Sequence, residues 1–281
     1  TVLTSSGSLE NQRRALLSTV AHELFHSWNV ERIRPQALEP FDFERANVSD
    51  ELWLGEGFTS YYDDLIMART GLANLSETLA SVSRAINAVQ HSPARRLRSV
   101  VEMSRLAPFT DAARAIDRTN WGNTFISYYT WGAAIGLGLD LSLRARADPG
   151  GVGDIVSGPG MVSLDDYMRA MWQTHGEPGG PAPGLVEVPY TLGDARDRLA
   201  EITSDRAFAD DFFDRYVEGH EVVDYARLLE RAGLILRKRA PGRAWLGDVR
   251  LAFGDDGARV TAPVPFGSPM YAAGLELDDL V

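Results

Sequence analysis

The stretch His22-Glu23-Leu24-Phe25-His26-Ser27-Trp28 decides how the rest of the chain is read. It lies inside Leu9 to Val30, where Leu16, Leu17, Val20, Leu24, Phe25 and Trp28 recur at helical spacing. That pattern predicts a helix over 9–30 that buries one apolar stripe. Residues four apart share a face of a helix, so His22 and His26 can turn both imidazoles toward one point. Glu23 follows the first of them directly and can hold a proton beside that point.

H-E-x-x-H on a helix is the arrangement of a zinc peptidase, with the Glu as general base. The competing reading is a pair of core histidines. A catalytic zinc takes three protein ligands and keeps a fourth position open. The next carboxylate suited to be the third is Glu56, in Leu54-Gly55-Glu56-Gly57-Phe58-Thr59-Ser60-Tyr61-Tyr62. The run 51–70 again has helical spacing, with Trp53, Phe58, Tyr61, Tyr62, Leu65 and Ile66 as its apolar face and Gly71 as its stop. A Glu on a second helix packed beside the first completes a His, His, Glu set.

Composition narrows the function classes. Arginine and lysine number 28 against 39 acidic residues, a formal charge of −11 over 281 residues. Nucleic-acid binding rests on basic footprints, so that class is disfavoured. The chain has no cysteine, which excludes disulfides, thiol catalysis and Cys-ligated zinc. No apolar run reaches membrane-spanning length. The best, Trp131 to Leu143, is interrupted by Asp140. Its Gly132, Gly136 and Gly138 point to close helix packing. No signal peptide is visible, and the sequence leaves the compartment open.

The strings His-Glu-Leu-Phe-His-Ser-Trp-Asn-Val-Glu-Arg-Ile-Arg-Pro (22–35) and Gly-Glu-Gly-Phe-Thr-Ser-Tyr-Tyr-Asp-Asp (55–64) resemble the glycyl aminopeptidase family. The resemblance implies one Zn2+ per chain held by His22, His26 and Glu56, with Glu23 as general base. It implies a mainly α fold: a thermolysin-like helical catalytic domain over 1–240, then the start of a small β-rich PDZ-like domain over 241–281. Asp210 to Gly219 also resembles the family and would close the catalytic domain. Ile126-Ser127-Tyr128-Tyr129-Thr130-Trp131-Gly132 is similar to the Tyr-x-Lys-Gly segment of related zinc aminopeptidases, where the tyrosine donates to the oxyanion. The spacing to Gly132 selects Tyr129 over Tyr128, and the usual Lys is Trp131 here. In thermolysin an Asp four positions beyond the ligand Glu supports a ligand His. That position is Ser60, which leaves Ser60, Thr59 and Asp63 as candidates for the supporting role.

Between His26 and Glu56 lie 29 residues. Their Pro35, Pro40 and Phe41-Asp42-Phe43-Glu44 read as a loop able to line the site. Further helical patterns fall at 75–91, 122–147, 163–174, 191–201, 205–216 and 223–232. Ser163 is suited to start one of them, and Ser204 or Asp205 another. Asp148 to Gly153 and Gly176 to Pro181 read as loops, residues 1–9 as an extended lead-in. His91, His175 and His220 lack partners at ligand spacing and read as surface or loop residues. The Asp pairs 63/64, 165/166, 255/256 and 278/279 read as caps and turns. Two short strands, 245–253 and 258–262, are expected around Gly254-Asp255-Asp256-Gly257. Gly267 to Val281 is similar to the PDZ signature of bacterial proteases, cut short. The family's preceding Gly-rich segment and β-rich domain would lie before Thr1.

These residues favour peptide or protein substrates, with release of small N-terminal Gly or Ala suggested by the family. The alternatives are an endopeptidase or other zinc hydrolase, and a non-catalytic PDZ-bearing peptide-binding protein with a structural metal site. Intact Glu23 speaks against the last.

Overall fold

The computed structural model describes residues 9–112, 117, 119–147 and 161–281. Residues 1–8 of the expected lead-in and the 148–153 loop lie outside that set. The helices are α1 (Leu9–Phe25), α2 (Leu52–Arg69), α3 (Leu75–His91), α4 (Val100–Ser104), α5 (Trp121–Thr124), α6 (Tyr128–Ala147), α7 (Leu164–Met171), α8 (Leu192–Thr203), α9 (Arg206–Phe212), α10 (Tyr225–Arg231) and α11 (Pro269–Ala272). Two strands, β1 (Leu251–Gly254) and β2 (Gly257–Val260), complete the set. Among the described residues the architecture is mainly helical, with one small sheet toward the C-terminal side.

The centre of the fold is the crossing of α2 and α6. Glycine at 57 and 132 lets the two backbones touch. A Cβ on Gly132 would stand 2.1 Å from the Trp53 carbonyl oxygen, and one on Gly57 would stand 2.4 Å from the Gly132 Cα. Around that contact Trp53, Leu54, Phe58, Trp131, Ala134 and Ile135 are fully enclosed. The close approach sets the first turn of α6 against the residue before Gly57, which is Glu56.

The expected helix over 122–147 is two helices. Ser127 interrupts it: its Oγ accepts from the Tyr129 amide at 3.3 Å, and its carbonyl accepts from the Trp131 amide. A serine at that boundary starts a new helix rather than continuing the old one. Tyr128 and Tyr129 therefore open α6. Farther along α6, buried Asp140 takes hydrogen bonds from Tyr61 Oη (2.8 Å), Arg144 Nε (3.0 Å) and the Leu164 amide (2.9 Å). The charge that interrupts the apolar run is thus fully partnered, as a buried carboxylate requires. Among the described residues no helix is long and apolar enough to cross a membrane.

α1 departs from expectation. Its apolar stripe faces the core only in part: Val20, Leu24 and Trp28 are 50, 54 and 47 % exposed, while Phe25 stacks on Tyr62. The inward face is mixed. Arg14 reaches Ser81 of α3, and Ser18 reaches Asp63 of α2. The helix also ends at Phe25, because the chain turns there to bring Asn29 under α2.

Other boundaries follow local chemistry. Asp205 rather than Ser204 caps α9, accepting from the Phe208 amide at 3.0 Å. Ser204 instead ends α8 in a left-handed conformation, φ 49°. Ser163 is tied to Asp166 at the start of α7 by both its amide and its hydroxyl. His175 is not a surface residue. It is buried against Tyr190, with Nδ1 3.0 Å from the Val188 carbonyl.

Near the C-terminus β1 and β2 pair antiparallel, Leu251 opposite Val260 and Gly254 opposite Gly257. The chain end extends this sheet: Ala258 and Val281 exchange both backbone hydrogen bonds, at 2.9 and 2.7 Å. Asn123 of α5 ties this region to the helices, donating to the Val264 carbonyl (2.9 Å) and accepting from the Phe266 amide (2.8 Å).

Candidate metal centre

Two helices build the site. α1 supplies His22 in its last turn, and His26 follows immediately after the helix. α2 supplies Glu56 from its second turn. The three donor atoms form a small triangle. His22 Nε2 and His26 Nε2 are 3.0 Å apart, and Glu56 Oε2 lies 3.4 Å from the first and 3.2 Å from the second. A tetrahedral zinc with bonds of about 2.0–2.1 Å sets its ligand atoms about 3.3 Å apart. The triangle therefore fits such an ion without rearrangement. Among the described residues, His22, His26 and Glu56 are the set whose ligand atoms converge in this way.

Each imidazole is held from behind. Asp63 Oδ2 is 3.2 Å from His22 Nδ1, while Ser18 Oγ donates to Asp63 Oδ1. His26 Nδ1 donates to the Asn29 carbonyl at 2.9 Å. Both rings thus present Nε2 inward, the tautomer a metal needs. Of the three candidates for the supporting role, Asp63 fills it for His22. Thr59 serves one step farther out. Its hydroxyl bonds the Gly55 carbonyl and accepts from Asn29 Nδ2.

Asn29 itself is a residue the sequence reading passed over. It is fully buried, and its Nδ2 lies 2.9–3.1 Å from Leu54 O, Gly55 O and Thr59 Oγ1. One residue thus fixes the His just beyond the first helix and the turn carrying Glu56 on the second.

The cluster's protonation reflects its crowding. Burial alone would lower the His22 pKa, but the bonds to Asp63 and Glu56 outweigh it and raise it to about 9. His26 is raised too, through Glu56 and the Asn29 carbonyl against the cost of burial. Burial would raise Glu56, yet the two imidazoles hold it down to about 2. In the metal-free chain a proton takes the place a cation would take.

Glu23 is exposed at the edge of the cluster. Tyr129 stands across it, half-buried, its ring 6.2 Å from that of His22 and inclined by 21°. Burial, then the charges of Glu56 and Asp111, push its phenol far above the ordinary range, so it stays a donor. Tyr128 has a different duty. It is buried, and its hydroxyl donates to Asp111 Oδ2. The structure thus separates the two tyrosines. His91 and His220 are exposed and stand apart from the cluster.

Fold and cluster together define a class: a helical protein with a candidate metal centre of three residues between two packed helices. Residues 15–135, which contain the whole cluster, match the M61 glycyl aminopeptidase model. Over that segment the chain is similar to the M61 glycyl aminopeptidase family. A crystal structure of an aminopeptidase N family protein from Idiomarina loihiensis has a similar fold, with a TM-score of 0.75 at 23 % identity. The likeness covers 99 % of this chain and 46 % of that one, so this chain spans about half its length. No curated protein matches the chain.

Proposed function

We propose that the chain carries the zinc centre of an aminopeptidase that releases small N-terminal residues, glycine or alanine, from peptides. The observation that carries the reading is the His22, His26, Glu56 triangle, with Glu23 one residue from a ligand and Tyr129 opposite. The family of residues 15–135 supports both the peptidase chemistry and the substrate class.

Zinc, when bound, supplies Lewis acidity and makes its water a nucleophile near neutral pH. The chain's residues do the rest. Glu23 accepts the proton of the attacking water at its carboxylate and passes it to the leaving amine. Tyr129 Oη donates to the oxygen on which negative charge develops. Asp63 and the Asn29 carbonyl keep the imidazoles aimed during the charge change. Residues 241–281 are read as the start of a PDZ-like module.

Glu23→Gln tests the assignment. The variant should retain zinc and lose turnover of glycyl and alanyl peptides; full activity would remove Glu23 as the base. Cleavage of acetylated peptides at the same rate as free ones would replace the exopeptidase reading by an endopeptidase one.

A further inference from the structure

A cavity of about 280 Å³ lies toward the end of α6 remote from the metal centre. Ser142 and Arg146 of α6 line it, whereas Tyr129 opens the same helix beside His22. At 1.5 Å per residue, the 13 or more positions between them span about 20 Å or more. The cavity is therefore separate from the cluster.

Three arginines line it: Arg146, and Arg227 and Arg231 of α10. Of the three, only Arg146 is in an ion pair among the described residues. Its Nη2 is 2.8 Å from Asp205 Oδ2, and its guanidinium lies 4.5 Å over the Phe208 ring. Arg227 and Arg231 stand four apart on one face of α10, where like charges destabilise a helix. Asp224 also lines the cavity but is engaged at the start of α10, its Oδ1 accepting from the Arg227 amide at 3.1 Å. Ser142 and Tyr216 add hydroxyls, and burial raises the Tyr216 phenol, so it stays a donor. Val223 and Leu228 form an apolar wall.

The surroundings carry the same sign. Residues 227–243 hold six cations, Arg227, Arg231, Arg237, Lys238, Arg239 and Arg243, against one acid, Glu230, in a chain of net charge −11. Such a local reversal concentrates anions. A guanidinium fork matches the oxygens of a phosphate, and two unpaired forks match its two charges. A carboxylate carries one charge and satisfies one fork. The cavity is smaller than those that hold drug-sized molecules, which limits the carrier to a short stem.

We propose that this cavity is a binding site for a phosphate monoester, gripped by Arg227 and Arg231 beside Arg146. The site does not depend on the peptidase reading above.

Calorimetry on the full chain tests it, with glycerol 3-phosphate and acetate as probes near pH 7, where a phosphate monoester carries about −1.5 to −2 charge. The wild type should bind glycerol 3-phosphate at least about 10-fold more tightly than acetate, the worth of one further charged hydrogen bond. Arg227→Gln together with Arg231→Gln should lose roughly 100-fold, the worth of two. Removing a like-charge pair should leave Tm equal or slightly higher, which melts check. Arg227→Gln alone, at an exposed position, repeats the test with a loss of about 10-fold. Arg237→Gln together with Arg239→Gln removes the same charge outside the cavity lining and should leave the affinity nearly unchanged. Sedimentation with phosphatidic acid vesicles then separates sources: retention that needs Arg227 and Arg231 assigns the phosphate to a lipid headgroup, and binding of glycerol 3-phosphate alone to a soluble ester. No binding by the folded wild type, equal affinity for acetate, affinity that survives loss of both Arg227 and Arg231, or equal losses from the two double variants overturns the proposal.

Discussion

Asp63 reaches back across two helices to His22, its Oδ2 3.2 Å from the Nδ1 of the ring. It lies seven positions, two helical turns, beyond Glu56 on the same face of α2. The same helix thus supplies one residue of the triangle and the support for another. A carboxylate on the far nitrogen fixes the tautomer and raises the basicity of the metal-facing one. Removing such partners typically costs about 10–100-fold in metal affinity. Asp63→Asn should weaken zinc binding by that range while leaving the helical fold intact. Competition with a chromophoric chelator would measure it, and unchanged affinity would show that His22 needs no support.

Tyr129 and Tyr128 should separate kinetically. Loss of one oxyanion donor costs about 10²–10³-fold in kcat. Tyr129→Phe should show that loss with zinc content unchanged. Equal kcat for Tyr129→Phe and wild type on glycyl substrates would remove the donor role.

The Gly57–Gly132 contact carries a stability prediction. Gly132→Ala places a methyl 2.1 Å from the Trp53 carbonyl, and backbone cannot swing aside as a side chain can. Overpacking of this kind costs about 1–3 kcal/mol or more, so Tm should fall by roughly 5 °C or more. Because the same contact aligns Tyr129 with Glu56, activity should fall further than stability alone accounts for. Gly122→Ala is the control, since a Cβ there meets nothing within 4 Å.

The metal-free centre should respond to pH in a defined direction. His22 is raised from 6.5 to about 9 in the folded chain. Its stabilising contribution is then fully present below 6.5 and is lost as pH rises through about 9. Melts of the metal-free chain should show Tm declining between those values. Zinc displaces the proton, so the loaded chain should not show this decline, and zinc affinity should rise with pH up to about 9. Parallel curves for the two forms would mean that zinc does not occupy the His22 position.

Much of the site is written in local patterns. His22, Glu23, His26 and Glu56 can be read because helical periodicity alone brings them to facing surfaces. Tyr129 is singled out by the resemblance of 126–132 to the Tyr-x-Lys-Gly segment, and its ring stands 6.2 Å from that of His22. Asn29 is not legible in either way. It acts through one backbone carbonyl and one side-chain nitrogen, and neither leaves a periodic trace. The stripe on α1 misled for a physical reason. Periodicity identifies an apolar face but not its neighbour, and the core here meets the face bearing Ser18, His22 and Phe25. The break before α6 turned on a single Ser127 cap inside an otherwise helical pattern. His175 likewise gains its burial from a tertiary contact with Tyr190.

The most direct test of the account is zinc content per chain, by elemental analysis after metal supply and desalting, for the wild type and Glu56→Ala. The account predicts about one zinc in the wild type and a marked loss in the variant, because a catalytic zinc rests on three protein ligands. Equal zinc in both proteins, or none in a folded wild type, would contradict it.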